Sequence, residues 1–204
     1  MAPMALRTAE PFDPEPPNDP AVEAAFQAVP DTMIGEILGG ELHVQPRPAF
    51  QHARVGINLS DEIFGPFDKG RGGPGEWLIL PEPELHLGRR PDKVVPDLAG
   101  WRRTRTPTMF DGRKNPAHFT LPPDWVCEIL SRRTESSDRK KKMHIYQREG
   151  VGHVWLVDPV AQTLEIHRAG EGKLLRLGLY TETAPISAEP FDAIELSLAT
   201  LWDP

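Results

Sequence analysis

The chain has almost no cysteine. Among 204 residues there is one, Cys127, which excludes an internal disulfide and any zinc site built from several thiolates. It lies in a strand-like run, so it reads as a small buried hydrophobe. Long apolar runs are missing too. None approaches the roughly 20 residues needed to span a bilayer, and no membrane partner is expected. The first residues, with Pro3, Glu10, Pro11 and Asp13, lack the basic and apolar regions of a secretory signal, so a cytoplasmic protein is expected. Positive charge is short: 23 Lys and Arg face 30 Asp and Glu, a net charge of −7. That counts against a protein that coats nucleic acid, whose basic surface supplies most of its nonspecific affinity. A local basic patch with bound cations can still offset the global sign. Gly65 to Gly75 holds five glycines. No Gly-Lys-Ser/Thr follows, so it reads as a flexible loop and not a phosphate-binding loop.

What is present reads as one α/β domain over residues 21–204 behind a disordered, Pro-rich tail at 1–20. That tail carries six of the 23 prolines and no apolar periodicity. Asp19-Pro20 can cap and start a helix through Ala28. Met33 to Leu38, Gly39-Gly40 and Glu41 to Gln45 read as a β-hairpin. Ala49 to Phe64 has helical spacing. Short strands are expected at Glu76 to Leu80, Glu84 to Leu87 and Lys93 to Trp101. Arg102 to Pro123 is the most basic stretch, with Arg102, Arg103, Arg105, Arg113 and Lys114. It reads either as a solvated loop or as a nucleic-acid contact made by Arg102, Arg103 and Arg105. Trp125 to Leu130 reads as a central strand buried on two faces. A helix capped by Ser136 or Ser137 runs to Glu149, with Gly150 as its stop. Strands follow at His153 to Val157, Thr163 to His167 and Lys173 to Tyr180, then a short strand and a terminal turn or helix.

Two of these strands each carry one carboxylate, Asp97 at the end of Val94-Val95-Pro96-Asp97 and Glu128 inside Asp124-Trp125-Val126-Cys127-Glu128-Ile129-Leu130. A helical lysine lies nearby. Two acids and a lysine suit metal-assisted phosphodiester cleavage. Mg²⁺, or Mn²⁺ in its place, takes oxygen ligands and is held by one or two carboxylates plus substrate phosphate. The structural alternatives are a turn or cap role for Asp97 and a buried ion pair for Glu128. An unpaired buried carboxylate is costly, so Glu128 requires metal or Lys142, or else Arg132 or Arg133.

Taken in order, Pro96-Asp97, Glu128-Ile129-Leu130-Ser131, Asp138, Lys142, Tyr146, Gly150-Val151 and Trp155-Leu156-Val157-Asp158-Pro159 resemble the Uma-two-type family of restriction endonucleases, a branch of the PD-(D/E)xK nuclease superfamily. The resemblance covers about residues 30 to 200. It implies a restriction-endonuclease-like core with a mixed central sheet flanked by helices, and a Mg²⁺-dependent endonuclease acting on nucleic acid, DNA being the expected form. It also implies the Ile129 carbonyl and His52 as further metal ligands, Glu41 of the Gly40-Glu41 pair as a site member, and a homodimer by analogy. Solvated strand residues beside the turn are the bland reading of Glu36 and Glu41, and it fits Glu36 better. The superfamily lysine expected two residues after the acid is replaced by Leu130. Lys142 is then the candidate for a relocated lysine, because Asp138, Lys142 and Tyr146 share a helix face. Lys140 and Lys141 are its rivals, and a solvated helix face is the bland reading of all three. Two further functions stay open on this scaffold: a non-catalytic regulatory or nucleic-acid-binding module, and metal-dependent hydrolysis of another substrate.

Overall fold

Proline and glycine cut the chain into its elements. The computed structural model describes residues 18–106, 117–181, 183 and 185–203. Residues 1–17 of the expected tail, and Arg113 and Lys114 of the basic interval, lie outside the described residues. Asn18 belongs to the fold and not to a tail: it is buried, and its amide donates to Pro91 O at 2.8 Å. The Asp19 carboxylate caps α1 (Pro20–Gln27) by accepting from Ala21 N at 2.8 Å. β1 (Met33–Leu38) and β2 (Glu41–Pro46) form the hairpin, turned by Gly39 and Gly40 at φ of 63° and 82°. α2 (Phe50–Ile63) buries Val55, Leu59 and Ile63, one stripe at four-residue steps.

The glycine segment after α2 is not simply a loop. Phe64–Asp68 continues as a π-helical turn. Phe67 enters the core, and the buried Asp68 carboxylate accepts from Ile79 N at 2.9 Å. Both anchors override the glycines around them. β3 (Trp77–Pro81) and β4 (Leu85–Leu87) follow.

The strand expected over Lys93 to Trp101 is two strands. β5 (Asp92–Val94) and β6 (Leu98–Arg102) lie in different sheets. Pro96 has no N–H to give a ladder, and the Val95 N–H turns to Glu36 Oε1 at 2.8 Å. The chain therefore leaves one sheet and enters the next within three residues, and Asp97 stands at the handover.

β7 (Trp125–Ile129) is buried at every residue. α3 (Glu135–Ser137), a π-helical turn at Asp138–Lys142 and α4 (Met143–Arg148) then lead to β8 (His153–Asp158), parallel to β7. The helical run starts before the two serines expected to cap it. The turn is set instead by Ser131, whose carbonyl accepts from Glu135 N at 2.9 Å. β9 (Thr163–Gly170), β10 (Lys173–Tyr180), β11 (Pro185–Ile186), β12 (Leu196–Ser197) and α5 (Leu198–Leu201) complete the chain.

The central sheet is mixed, in the order β10-β9-β8-β7-β6-β3. A four-stranded sheet, β2-β1-β5-β4, stands beside it. Period-two alternation along β7 divides its side chains between two cores. Trp125, Cys127 and Ile129 join α2 and the C-terminal segment through Leu59, Trp77, Trp155, Phe191 and Leu201. Val126 faces Ile145, Tyr146 and Val154 on the other side. Glu128 shares that second face with Val126. Among the described residues no helix is long and apolar enough to cross a membrane.

Candidate active site

The handover at Asp97, the far end of β7 and the π-helical turn meet at one cleft of about 340 Å³. Asp97, Glu128, Ile129, His52, Asp138 and Lys142 all line it. Asp97 is fixed from two sides. Its Oδ2 accepts from Ile129 N at 2.6 Å, and its Oδ1 lies 2.7 Å from His52 Nε2. His52 reaches it from the first turn of α2.

Glu128 is 2% exposed, so a partner is required. Lys142 Nζ donates to its Oε2 at 3.1 Å, and the Tyr146 hydroxyl donates to its Oε1. Of the partners the sequence allows, the cation is Lys142 and neither Arg132 nor Arg133. Lys142 is itself 2% exposed. Besides Glu128 it contacts Glu36 at 2.9 Å, Asp138 at 3.5 Å and the Val95 carbonyl at 3.4 Å. Asp138 Oδ1 has no hydrogen-bond partner among the described residues. The face expected from Asp138, Lys142 and Tyr146 is thus turned inward onto Glu128. The wide turn over Asp138–Lys142 sits at this point, as such turns often do at functional sites.

The neighbours of Lys142 point elsewhere. Lys140 is exposed. Lys141 pairs with Glu41 at 2.6 Å and meets His43 at 3.0 Å. Glu41 is 71% exposed there and stands outside the cluster. The hairpin acid that enters the cluster is Glu36, so the expected ranking of the two is reversed. Its signal was in the strand: β1 is otherwise apolar or glycine, so it has no solvent face to offer an acid.

Charge in the cluster is unbalanced. Glu36, Glu128 and Asp138 share the Lys142 ammonium, and Asp97 stands nearby on His52 and the Ile129 N–H. Burial first, then Asp138, Asp97 and Glu36, push the Glu128 carboxyl well above the usual range, against the pull of Lys142. Burial likewise raises Asp138. Burial works against the Lys142 ammonium, but Glu128, Glu36 and Asp138 together hold it well above its ordinary value. Lys142 therefore stays charged, and the raised carboxyls of Glu128 and Asp138 mark a crowding of acids that a divalent cation would relieve. Asp97 and Glu128 supply oxygen donors of the kind Mg²⁺ takes, and His52 adds a donor better suited to Mn²⁺. These donors are not drawn to coordination distance. Among the described residues, three His, Cys, Asp or Glu ligand atoms come within 4.8 Å of one another only at Glu84, His86 and His118. Lys142 and Tyr146 occupy both oxygens of Glu128.

Arg102, Arg103 and Arg105, the described arginines of the basic interval, lie at the other end of β6. Five residues of strand, roughly 16 Å, separate Asp97 from Arg102. Arg102 N–H donates to Asp124 Oδ2 at 2.8 Å, and its guanidinium lies 4.2 Å from the Trp77 ring. Arg103 pairs with Asp68 at 3.2 Å and Arg105 with Asp124 at 2.6 Å. The arginines at the cleft are Arg47, Arg132 and Arg133. Arg47 is paired with Glu82 at 3.1 Å, whereas Arg132 and Arg133 are exposed. Their signal was adjacency: they follow Glu128-Ile129-Leu130-Ser131 directly.

Comparison with known proteins agrees with this architecture. The family model Uma2, described as "Putative restriction endonuclease", matches residues 25–200. A solved structure from Anabaena variabilis, described as a putative nuclease belonging to DUF820, superposes with a TM-score of 0.67 at 22% identity, covering 82% of this chain and 89% of that one. At that identity the likeness concerns the fold, which is restriction-endonuclease-like. No curated protein matches.

Proposed function

The chain belongs to the Uma2 family, whose model is described as "Putative restriction endonuclease", and from that premise we propose that it is a divalent-cation-dependent endonuclease whose substrate is DNA. The observation that carries this reading is the convergence of Asp97, Glu128, His52 and the charged Lys142 on one cleft. Asp97, Glu128 and the Ile129 carbonyl would hold Mg²⁺ or Mn²⁺, with His52 as a further donor to Mn²⁺. When bound, the ion supplies a Lewis acid for the phosphate and lowers the pKa of the attacking water. Lys142 keeps its proton, so it acts as a donor and not as the base. It aims Glu128 and balances charge that develops on phosphate oxygens. Arg132 and Arg133 at the rim suit the flanking phosphates. Cutting both strands would use two copies of the chain.

Supercoiled plasmid incubated with Mg²⁺, Mn²⁺ or EDTA tests the reading. Nicking that needs the cation and disappears in Asp97→Asn and Glu128→Gln is expected. An intact plasmid under all conditions, with no Mg²⁺ effect on the melting temperature, would overturn it. The full occupancy of Glu128 by Lys142 and Tyr146 favours a second reading, a nucleic-acid-binding module that keeps the fold without cleaving. Calorimetry separates the two, since only the first requires Mg²⁺ to bind. A substrate panel addresses hydrolysis of other phosphodiesters.

A further inference from the structure

Glu84, His86 and His118 gather one carboxylate and two imidazoles at a place that none of them shares with the cleft. Glu84 immediately precedes β4 and His86 lies within it. Two residues apart on an extended chain, they present side chains to the same face. His118 arrives from the far side of the basic interval and is set beside them by backbone bonds. Phe119 N donates to Glu84 O at 2.9 Å, and His86 N donates to Phe119 O at 2.8 Å. Leu85 and Phe119 form the parallel bridge between the two segments.

The side chains are already close. His86 Nε2 lies 2.6 Å from Glu84 Oε1. The two imidazoles stack with centroids 3.8 Å apart and planes 9° from parallel. One ligand atom from each of the three residues lies within 4.8 Å of the other two. Lys93, opposite His86 in the register, is engaged elsewhere: it pairs with Glu23 at 2.5 Å and lies 4.2 Å over the Phe26 ring.

We propose that Glu84, His86 and His118 form a binding site for one transition-metal ion of the zinc class, with a coordination position left to water. Two imidazoles and a carboxylate select such an ion over Mg²⁺, which prefers an all-oxygen shell. Bonds of about 2.0–2.1 Å to a tetrahedral ion put ligand atoms roughly 3.3 Å apart. His118 is exposed, so rotation of its side chain closes the remaining distance and unstacks the rings. The ion clasps the segment that ends the basic interval to the edge strand of the four-stranded sheet. It is separate from the cation proposed for the cleft and does not depend on it.

The untagged full chain, stripped with EDTA and held in millimolar Mg²⁺, is titrated with Co²⁺ and then with Zn²⁺. One Co²⁺ per chain is expected, with visible absorption of a low-coordinate ion that Zn²⁺ then displaces. His118→Ala should weaken Zn²⁺ binding by at least about tenfold and abolish the Zn²⁺-induced rise in melting temperature. Asp97→Asn should leave both unchanged. Glu84→Gln serves as the second variant should His118→Ala melt below wild type without metal. Equal Zn²⁺ affinity in wild type and both variants would overturn the proposal, as would uptake only above millimolar Zn²⁺. So would loss of the Zn²⁺ response in Asp97→Asn, which would put the ion in the cleft.

Discussion

Lys142 is the cation that the buried acids Glu36, Glu128 and Asp138 share, and removing it has two separable effects. Lys142→Ala leaves Glu36 and Glu128 buried without a counter-charge. A loss of about 3–5 kcal/mol is expected, together with a fall in cleavage of about 10²- to 10³-fold measured below the variant's melting temperature. Lys140→Ala and Lys141→Ala should cleave as wild type does, and equal activity in all three would remove Lys142 from the site. Glu128 gives a pH signature. Its folded-state carboxyl is raised by burial and neighbouring acids, so the folded protein binds this proton more tightly than the unfolded chain. Its contribution is most favourable below the ordinary glutamate range and is lost as pH rises through the raised value. Without metal, Glu128→Gln should therefore gain stability relative to wild type as pH rises above the ordinary glutamate range. Denaturation midpoints along that series check the sign, and a difference that stays flat with pH would contradict it. Asp97 and Glu128 stood out in the sequence because each holds a position where the apolar pattern asks for something else, and Lys142 because it shares a helix face with Asp138 and Tyr146 at the spacing of the resembled family. Glu36 did not, because its partners come from Val95 in the handover after β5 and from Lys142 in the π-helical turn, contacts that strand periodicity does not encode.

At the scale of elements, the pattern was readable wherever local chemistry decides. The Gly39-Gly40 turn, the Asp19-Pro20 start and the β7 apolar run each specify their element with their own residues. The reading failed where partners decide. The Lys93 to Trp101 run is apolar enough for one strand, yet Pro96 and the demand of Glu36 for the Val95 N–H divide it. The serines at 136 and 137 can cap a helix, yet the turn at Ser131 starts it earlier. β6 offers a test of how tightly the site is framed. A Cβ at Gly100 would lie 3.2 Å from both Trp77 Cε3 and Trp125 Cε3, large rings wedged within one core. Gly100→Ala should cost about 1–3 kcal/mol by overpacking, seen as a lower urea midpoint with an unchanged slope. A midpoint equal to wild type would mean that the rings yield freely.

For the molecule as a whole, the −7 net charge makes the placement of each free cation decisive. Arg103 and Arg105 are paired with Asp68 and Asp124, while Arg132 and Arg133 stand exposed at the cleft. Replacing Arg132 and Arg133 with Gln should weaken binding of a DNA duplex. It should also flatten log affinity against log salt by about 1 for each phosphate no longer neutralised. The same change at Arg103 and Arg105 should leave the slope nearly as it was. The opposite ranking would return the phosphate contacts to the interval after β6. The basic interval was plain in the sequence but its distance from the acids was not, because distance along a sheet depends on which strand lies beside which.

Cys127 turns the centre of the molecule into a clock. It is the sole thiol of the chain, it is fully buried in β7 beside Glu128, and burial together with Asp97 and Glu128 raises it well above the ordinary thiol range. A thiol reagent needs an exposed thiolate, so labelling proceeds only through openings that pull β7 out of the sheet. The same openings disperse Asp97 and Glu128. Labelling kinetics under native conditions therefore count how often the cleft comes apart. A cation held by those two acids should slow labelling by the factor 1 + [cation]/Kd, as mass action requires. Mg²⁺ that leaves the rate untouched would not be bound between them.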